Sequence, residues 1–313
     1  MNGETVDVAR TGEAALRWLS RNRAGFRLGD GVLDAATEVD RTLKPLGELA
    51  QVCVCVCRHT RPGTPHHRLA AELLAFAWGQ TDHGALFLDL QRLEPAGTYP
   101  LEFYAAFASA GLRHSGFEEF AATVTGTRGW RATEQYPNRL LGVLNTERRT
   151  GLPAHEEDGT VLCRTWLGSL PEPWMFERGA GYSATHVIFH LTDWGRAVHQ
   201  VPSWLASYLE TWLPPWLDTC LDAGQWDLSC ELLAVAASLP SPPDRAMVED
   251  AWATVANAQE PSGALAEAGP APHRPALPHD FLHCYHSTLM AAYAAALTSA
   301  RLACDAVGGQ GLP

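Results

Sequence analysis

Thirteen stretches of helical pattern follow one another along these 313 residues, joined by short connections rich in Gly and Pro. They cover 12–22, 31–50, 66–79, 82–93, 101–110, 117–125, 133–147, 160–168, 182–194, 203–219, 226–239, 244–258 and 279–305. Gly79 and Gly111 stand where helices stop, and Pro202–Ser203 and Pro243–Asp244 stand where they start. Isoleucine occurs once (Ile188) and lysine once (Lys44), against 47 alanines and 22 arginines. Such avoidance of AT-rich codons points to a high-GC genome such as an actinobacterium's. It also strips out the strongest strand formers and leaves good helix formers.

The expected fold class is therefore all-α, one domain over 1–313. A dozen or so helices in successive hairpins suit an α/α toroid; the alternative is an irregular helical bundle. Ala71-Glu-Leu-Leu-Ala-Phe-Ala77 and Cys230-Glu-Leu-Leu-Ala-Val-Ala236 share a local texture. The stretch 259–278, with five prolines, reads as a mobile surface loop or lid. Strict alternation occurs only in VCVCVC, where Cys53, Cys55 and Cys57 lack the spacing of a metal-binding CxxC pair and read as small buried thiols.

Lys plus Arg at 23 against Asp plus Glu at 35 leaves a net charge of −12, which argues against nucleic acid or an anionic membrane surface as partner. No apolar run approaches the roughly 18 residues of a spanning helix, and the first residues lack the order of a secretory signal. A cytoplasmic location is expected.

Chemistry concentrates in two helical stripes. His186, His190 and Asp193 recur at i, i+4 and i+7, with Tyr182 one turn earlier; His279, His283 and His286 repeat the spacing. If the two faces meet across a core, they form a cluster able to exchange protons near neutral pH. His186, His190, Asp193, His283 and His286 are the candidate catalytic residues. No metal-binding motif accompanies them, so neither metal nor organic cofactor is expected. Upstream, Trp166, Trp174 and Phe176 in a Pro-rich loop could wall a pocket, with Glu172, Glu177 and Arg178 as its polar groups. Arg131, Glu134 and Arg139 could join them. The aromatics between Trp204 and Trp216 read as core or as a partner surface.

The segment from Tyr182 to Trp194, with the Tyr285–His286 helix, resembles an actinobacterial all-helical family and is similar to the aziridine-forming component of azinomycin-type biosynthesis. That resemblance covers the last half of the chain. It implies a toroid-like fold, a place in specialised metabolism, ring closure by internal amine attack as a sulfate leaves, and a participating partner subunit; it carries over no residue roles. The expectation is a lyase or cyclase working by general acid–base catalysis on a small anionic substrate. Tyr182, Trp166, Trp174, Glu177, Arg178 and Tyr285 are its candidate substrate contacts. The alternatives are a metal-dependent hydrolase or oxygenase using the same stripes, and a non-catalytic protein that docks a partner or a second copy of itself.

Overall fold

The computed structural model describes residues 8–29, 31–33, 39, 42–269 and 280–308, and among them every regular element is helical. The α-helices are α1 Val8–Arg21, α2 Leu43–His59, α3 Pro65–Gln80, α4 Ala85–Leu93, α5 Tyr99–Ser109, α6 Ser115–Thr125, α7 Pro137–Thr150, α8 Asp158–Leu162, α9 Arg178–Leu191, α10 Ser203–Asp222, α11 Trp226–Ala237, α12 Arg245–Ala258 and α13 Phe281–Gly308.

Burial separates two kinds of helix. In α11 every residue from Asp227 to Ala237 is buried, and α13 is buried without a break from Ser287 to Leu297. A helix apolar all round must have neighbours all round. Packing partners supply them: α2 lies against α5, α5 against α7, α7 against α9, α9 against α11, α11 against α13, and α13 against α2. The sequence of inner neighbours closes on itself. The remaining helices lie outside it, with α1 on α13, α3 on α2, α4 on α5, α8 on α7 and α10 on α11.

Side-chain pairs show which way the inner helices run. Arg139 meets Glu102 at 2.7 Å and His286 meets Glu48 at 3.2 Å, each pair joining residues near the starts of two helices. At the opposite end Arg149 Nε donates to Ser109 Oγ at 2.9 Å, both at helix ends. The inner helices are thus mutually parallel, with their N-termini at one end of the ring.

Cys53, Cys55 and the valine between them lie buried inside α2, as small core side chains, whereas Cys57 is half-buried. The helix expected over 31–50 begins at Leu43 and runs on through VCVCVC to His59. Alternation here reflects burial on both faces, which removes the pressure for a helical polar stripe.

The stretch expected to be mobile divides in two. Residues 270–278 lie outside the described residues, but 259–269 is pinned to the core, with Ala264, Leu265 and Ala268 buried. The Leu265 amide donates to Thr288 Oγ1 at 2.9 Å, the Glu267 amide to the His283 carbonyl at 3.0 Å, and the Gly269 amide to the Gly224 carbonyl at 2.8 Å. Its proline content signals irregular backbone, and hydrogen bonds to α13 hold that backbone in place.

Gly263 makes this packing possible. Its φ of 92° is left-handed, and a Cβ there would fall 2.2 Å from the Ala14 carbonyl oxygen of α1. Gly263→Ala should lower stability in chemical denaturation by about 1–3 kcal/mol. Gly79→Ala, at a helical site with nothing within 4 Å, should be neutral or raise it by roughly 0.5–1 kcal/mol.

Candidate active site

Inside the ring three helices meet at one imidazole. Nδ1 of His286 lies 3.2 Å from Glu48 Oε2 of α2, and its Nε2 lies 3.4 Å from Glu231 Oε1 of α11. Only the imidazolium can donate from both nitrogens. Burial works against that charge, but Glu48 and Glu231 outweigh it and hold the His286 pKa well above the ordinary histidine value. Burial likewise opposes ionisation of both carboxylates, yet His286 keeps Glu48 and Glu231 below the usual glutamate range. Glu231 also accepts from Thr185 Oγ1 at 2.5 Å.

Beside this triad is a cavity of about 110 Å³, lined by Glu48 and Gln51 of α2, Glu102 of α5, Asn145 and Arg149 of α7, and His190 of α9. That is roughly the liquid volume of three or four waters, room for a compact reacting group. His190 is held neutral: burial first, then His186, Arg139 and Arg149, push its pKa well below the ordinary value. Gly142 faces its ring, where a Cβ would come within 3.1 Å. His186 stacks with His190 at a centroid separation of 6.1 Å.

The cavity lining includes a buried arginine with one unmet donor group. Arg149 is 5% exposed; its Nε bonds Ser109 and lies 3.3 Å from Asp193 Oδ1, but its Nη2 is buried with no hydrogen-bond partner. Buried unpaired donors are rare because each costs about 1–3 kcal/mol. A second polar group lies near the helix starts, where Tyr182 and Arg178 meet Asp227 and Arg178 also pairs with Glu267. Burial raises the Asp227 pKa.

The two histidine stripes therefore converge only in part. His186, His190 and His286 come together around Glu48 and Glu231; His279 lies outside the described residues. His283 does not join them, because Asp280 takes its Nδ1 at 2.7 Å near the surface. Asp193 is not on the stripe either. Helix α9 stops at Leu191, and Asp193, Trp194 and Gly195 all take positive φ, at 46°, 57° and 82°. This turn sends the carboxylate to Arg149 and Arg196, where it is a counter-ion.

Among the expected substrate contacts, Tyr182 lies beside Asp227 near the start of the inner helices. Arg178 is taken up by Tyr182, Asp227 and Glu267, so it does not offer a free cation. Trp166 packs on Phe176 and Trp216, while Trp174 is 78% exposed and Glu177 is exposed; with Phe176 these line a separate surface cavity. Tyr285 is buried, stacked on Phe281 and edge-on to His286 at a ring-centroid separation of 6.3 Å. Tyr208 and Trp216 bond the carbonyls of Pro171 and Pro173, so the aromatic helix α10 anchors the Trp-rich loop. Arg139 pairs with Glu102 and Glu134, whereas Arg131 is exposed.

Glu48, Glu102, Arg149, Asp227 and Glu231 were not anticipated. Glu231 did carry a signal, since it is a lone charge deep inside an apolar helix.

Among the described residues no three His, Cys, Asp or Glu side chains are gathered to hold a metal ion, and no helix is long and apolar enough to cross a membrane. Residues 12–296 match the model of a family described as a domain of unknown function, DUF6895. No curated protein and no solved structure matches the chain.

In an NMR titration His286 should stay doubly protonated well above pH 6.5. Glu231→Gln should lower its pKa, because burial is then opposed by one carboxylate instead of two. His286 has its pKa raised, so its stabilisation is complete below about 6.5 and fades as pH climbs through the raised value. For Glu48 and Glu231, whose pKa values are lowered, stabilisation is complete above about 4.5 and fades as pH falls. Denaturation midpoints of the wild type should therefore drop on both sides of that window, and less steeply in Glu231→Gln.

Proposed function

We propose that this chain, which belongs to the DUF6895 family, is an acid–base enzyme whose reaction expels an anionic leaving group inside an α/α toroid. The observation that carries the reading is the buried, unpartnered Nη2 of Arg149 in a cavity also lined by an ionised carboxylate, Glu48, and a neutral imidazole, His190. These are the three parts such a reaction needs: proton acceptors for the nucleophile and a fixed cation for the departing charge.

His286 is a positioning residue in this scheme. Its imidazolium keeps Glu48 ionised and aimed. His190 is a weak base in the empty site because the arginines around it oppose protonation. A substrate anion on Arg149 cancels part of that field, so binding itself strengthens the base.

The reaction we assign is ring closure by an internal amine, the chemistry implied by the resemblance noted above. A proton passes from the ammonium nitrogen to His190 or Glu48. The nitrogen lone pair forms the new N–C bond, and the C–O bond breaks with its electrons leaving on sulfate, which Arg149 receives. The substrate is small and anionic, and the chain works in the cytoplasm of a specialised-metabolite producer.

Incubation with vicinal aminoalkyl sulfates, with release of inorganic sulfate as the readout, tests this. Wild-type protein should release sulfate. Arg149→Met should be slower by about 10²–10³-fold and His190→Ala by at least about 10²-fold, both with unchanged circular dichroism. No release by the wild type, or wild-type rates from Arg149→Met, would refute the reading.

A further inference from the structure

Unsatisfied polar atoms are unevenly spread in this protein. Among the described residues nine buried side-chain nitrogens and oxygens lack a hydrogen-bond partner, and six belong to Arg58, His59, Arg149, Asp193, Tyr293 and Arg301. These cluster toward the end of the ring where the inner helices finish. Arg149 lines the central cavity, with its Nη2 buried and unpaired. His59 and Arg301 line a different space, a cavity of about 240 Å³ that also includes Arg196 and is bordered by Gly195 and Ala237; the unpaired His59 Nε2 and Arg301 Nε are buried within those side chains.

Helix C-termini carry roughly half a negative charge each, and that alone would draw cations to this end. It would not leave an imidazole nitrogen and a guanidinium N–H buried without partners. The acid shared here is already engaged: Asp193 Oδ2 lies 2.6 Å from Arg196 Nε, and its Oδ1 is turned to Arg149. Arg301 Nη2 reaches the Pro240 carbonyl at 2.5 Å, which fixes the guanidinium while its Nε stays unmet. Donors in excess of acceptors, around a space wide enough for a tetrahedral ion, describe an anion site.

We propose that this second cavity binds a small oxyanion of the phosphate or sulfate class, held by the guanidinium groups of Arg196 and Arg301 beside the His59 imidazole. Arg196 is 61% exposed, and turning toward the ligand exchanges its Asp193 contact for the anion. When it does, Asp193 is left to Arg149 alone, so occupancy of the outer site is felt by the arginine lining the central cavity. The site stands whether or not the central cavity is catalytic.

The test is calorimetric titration of the full chain with sodium phosphate and sodium sulfate against chloride at constant ionic strength, with the His59 imidazole followed by NMR. Burial, then Arg58, hold that imidazole down at a pKa of about 4. Saturable binding is expected, with an upward shift of the His59 pKa on occupancy. Affinity should fall about tenfold or more in Arg301→Met and in Arg196→Met, and hold in Arg164→Met, a surface arginine paired with Glu156. His59→Gln and Arg301→Lys serve the same comparison if a methionine variant does not fold. Glycerol phosphate binding tighter than phosphate would favour an ester as ligand, and equal binding the free ion. Absence of saturable binding by the wild type, an unmoved His59 signal, or binding lost in Arg164→Met and kept in Arg301→Met would each overturn the assignment.

Discussion

One doubly hydrogen-bonded imidazolium joins the ring together chemically. His286 of α13 reaches Glu48 of α2 on one side and Glu231 of α11 on the other, so three parallel helices share a single buried proton-bearing group. Buried ions are stable only when each has its partner in good geometry, and removing one member of such a group typically costs about 3–5 kcal/mol. The closed ring supplies that geometry. Its walls are Ala- and Leu-rich helices that approach closely, leaving room in the middle for a few charged side chains and little water.

The interior is divided by sign along the ring axis. Carboxylates gather near the helix starts, in Glu48, Glu102, Asp227 and Glu231; guanidinium groups gather near the helix ends, in Arg58, Arg149, Arg196 and Arg301. This ordering opposes charge to helix dipole at both ends, as electrostatics favours. Arg139 and Arg178 near the helix starts and the buried Glu147 near the end of α7 depart from it, and Asp193 is an acid among the arginines. It reaches them only because the chain takes three consecutive left-handed residues after α9. The cost of that conformation, of order 1–3 kcal/mol for each non-glycine residue, marks the turn as a place where position matters more than local comfort.

How far the site could be read from sequence depended on whether helical periodicity held. His186 and His190 were correctly placed on one inward face because α9 is regular there. Asp193 failed at the same spacing because the helix ends two residues earlier. His283 failed because Asp280 captures it locally. Tyr285, expected as a substrate contact, lies in the aromatic cluster of Phe26 and Phe281 instead. The acids were harder to see, since nothing in a single helix says which of its charges will face another helix.

The paired textures make the division plain. Glu72 in α3 and Glu231 in α11 sit in the same Glu-Leu-Leu-Ala context, yet Glu72 is exposed and Glu231 is 1% exposed and bonded to His286. Local composition and period determined that both segments are helices, because those depend on residues one turn apart. Which helix became inner wall and which became outer cover was decided only in the tertiary structure. That choice depends on packing between segments far apart in the chain, and the same packing decides whether a carboxylate meets water or an imidazolium.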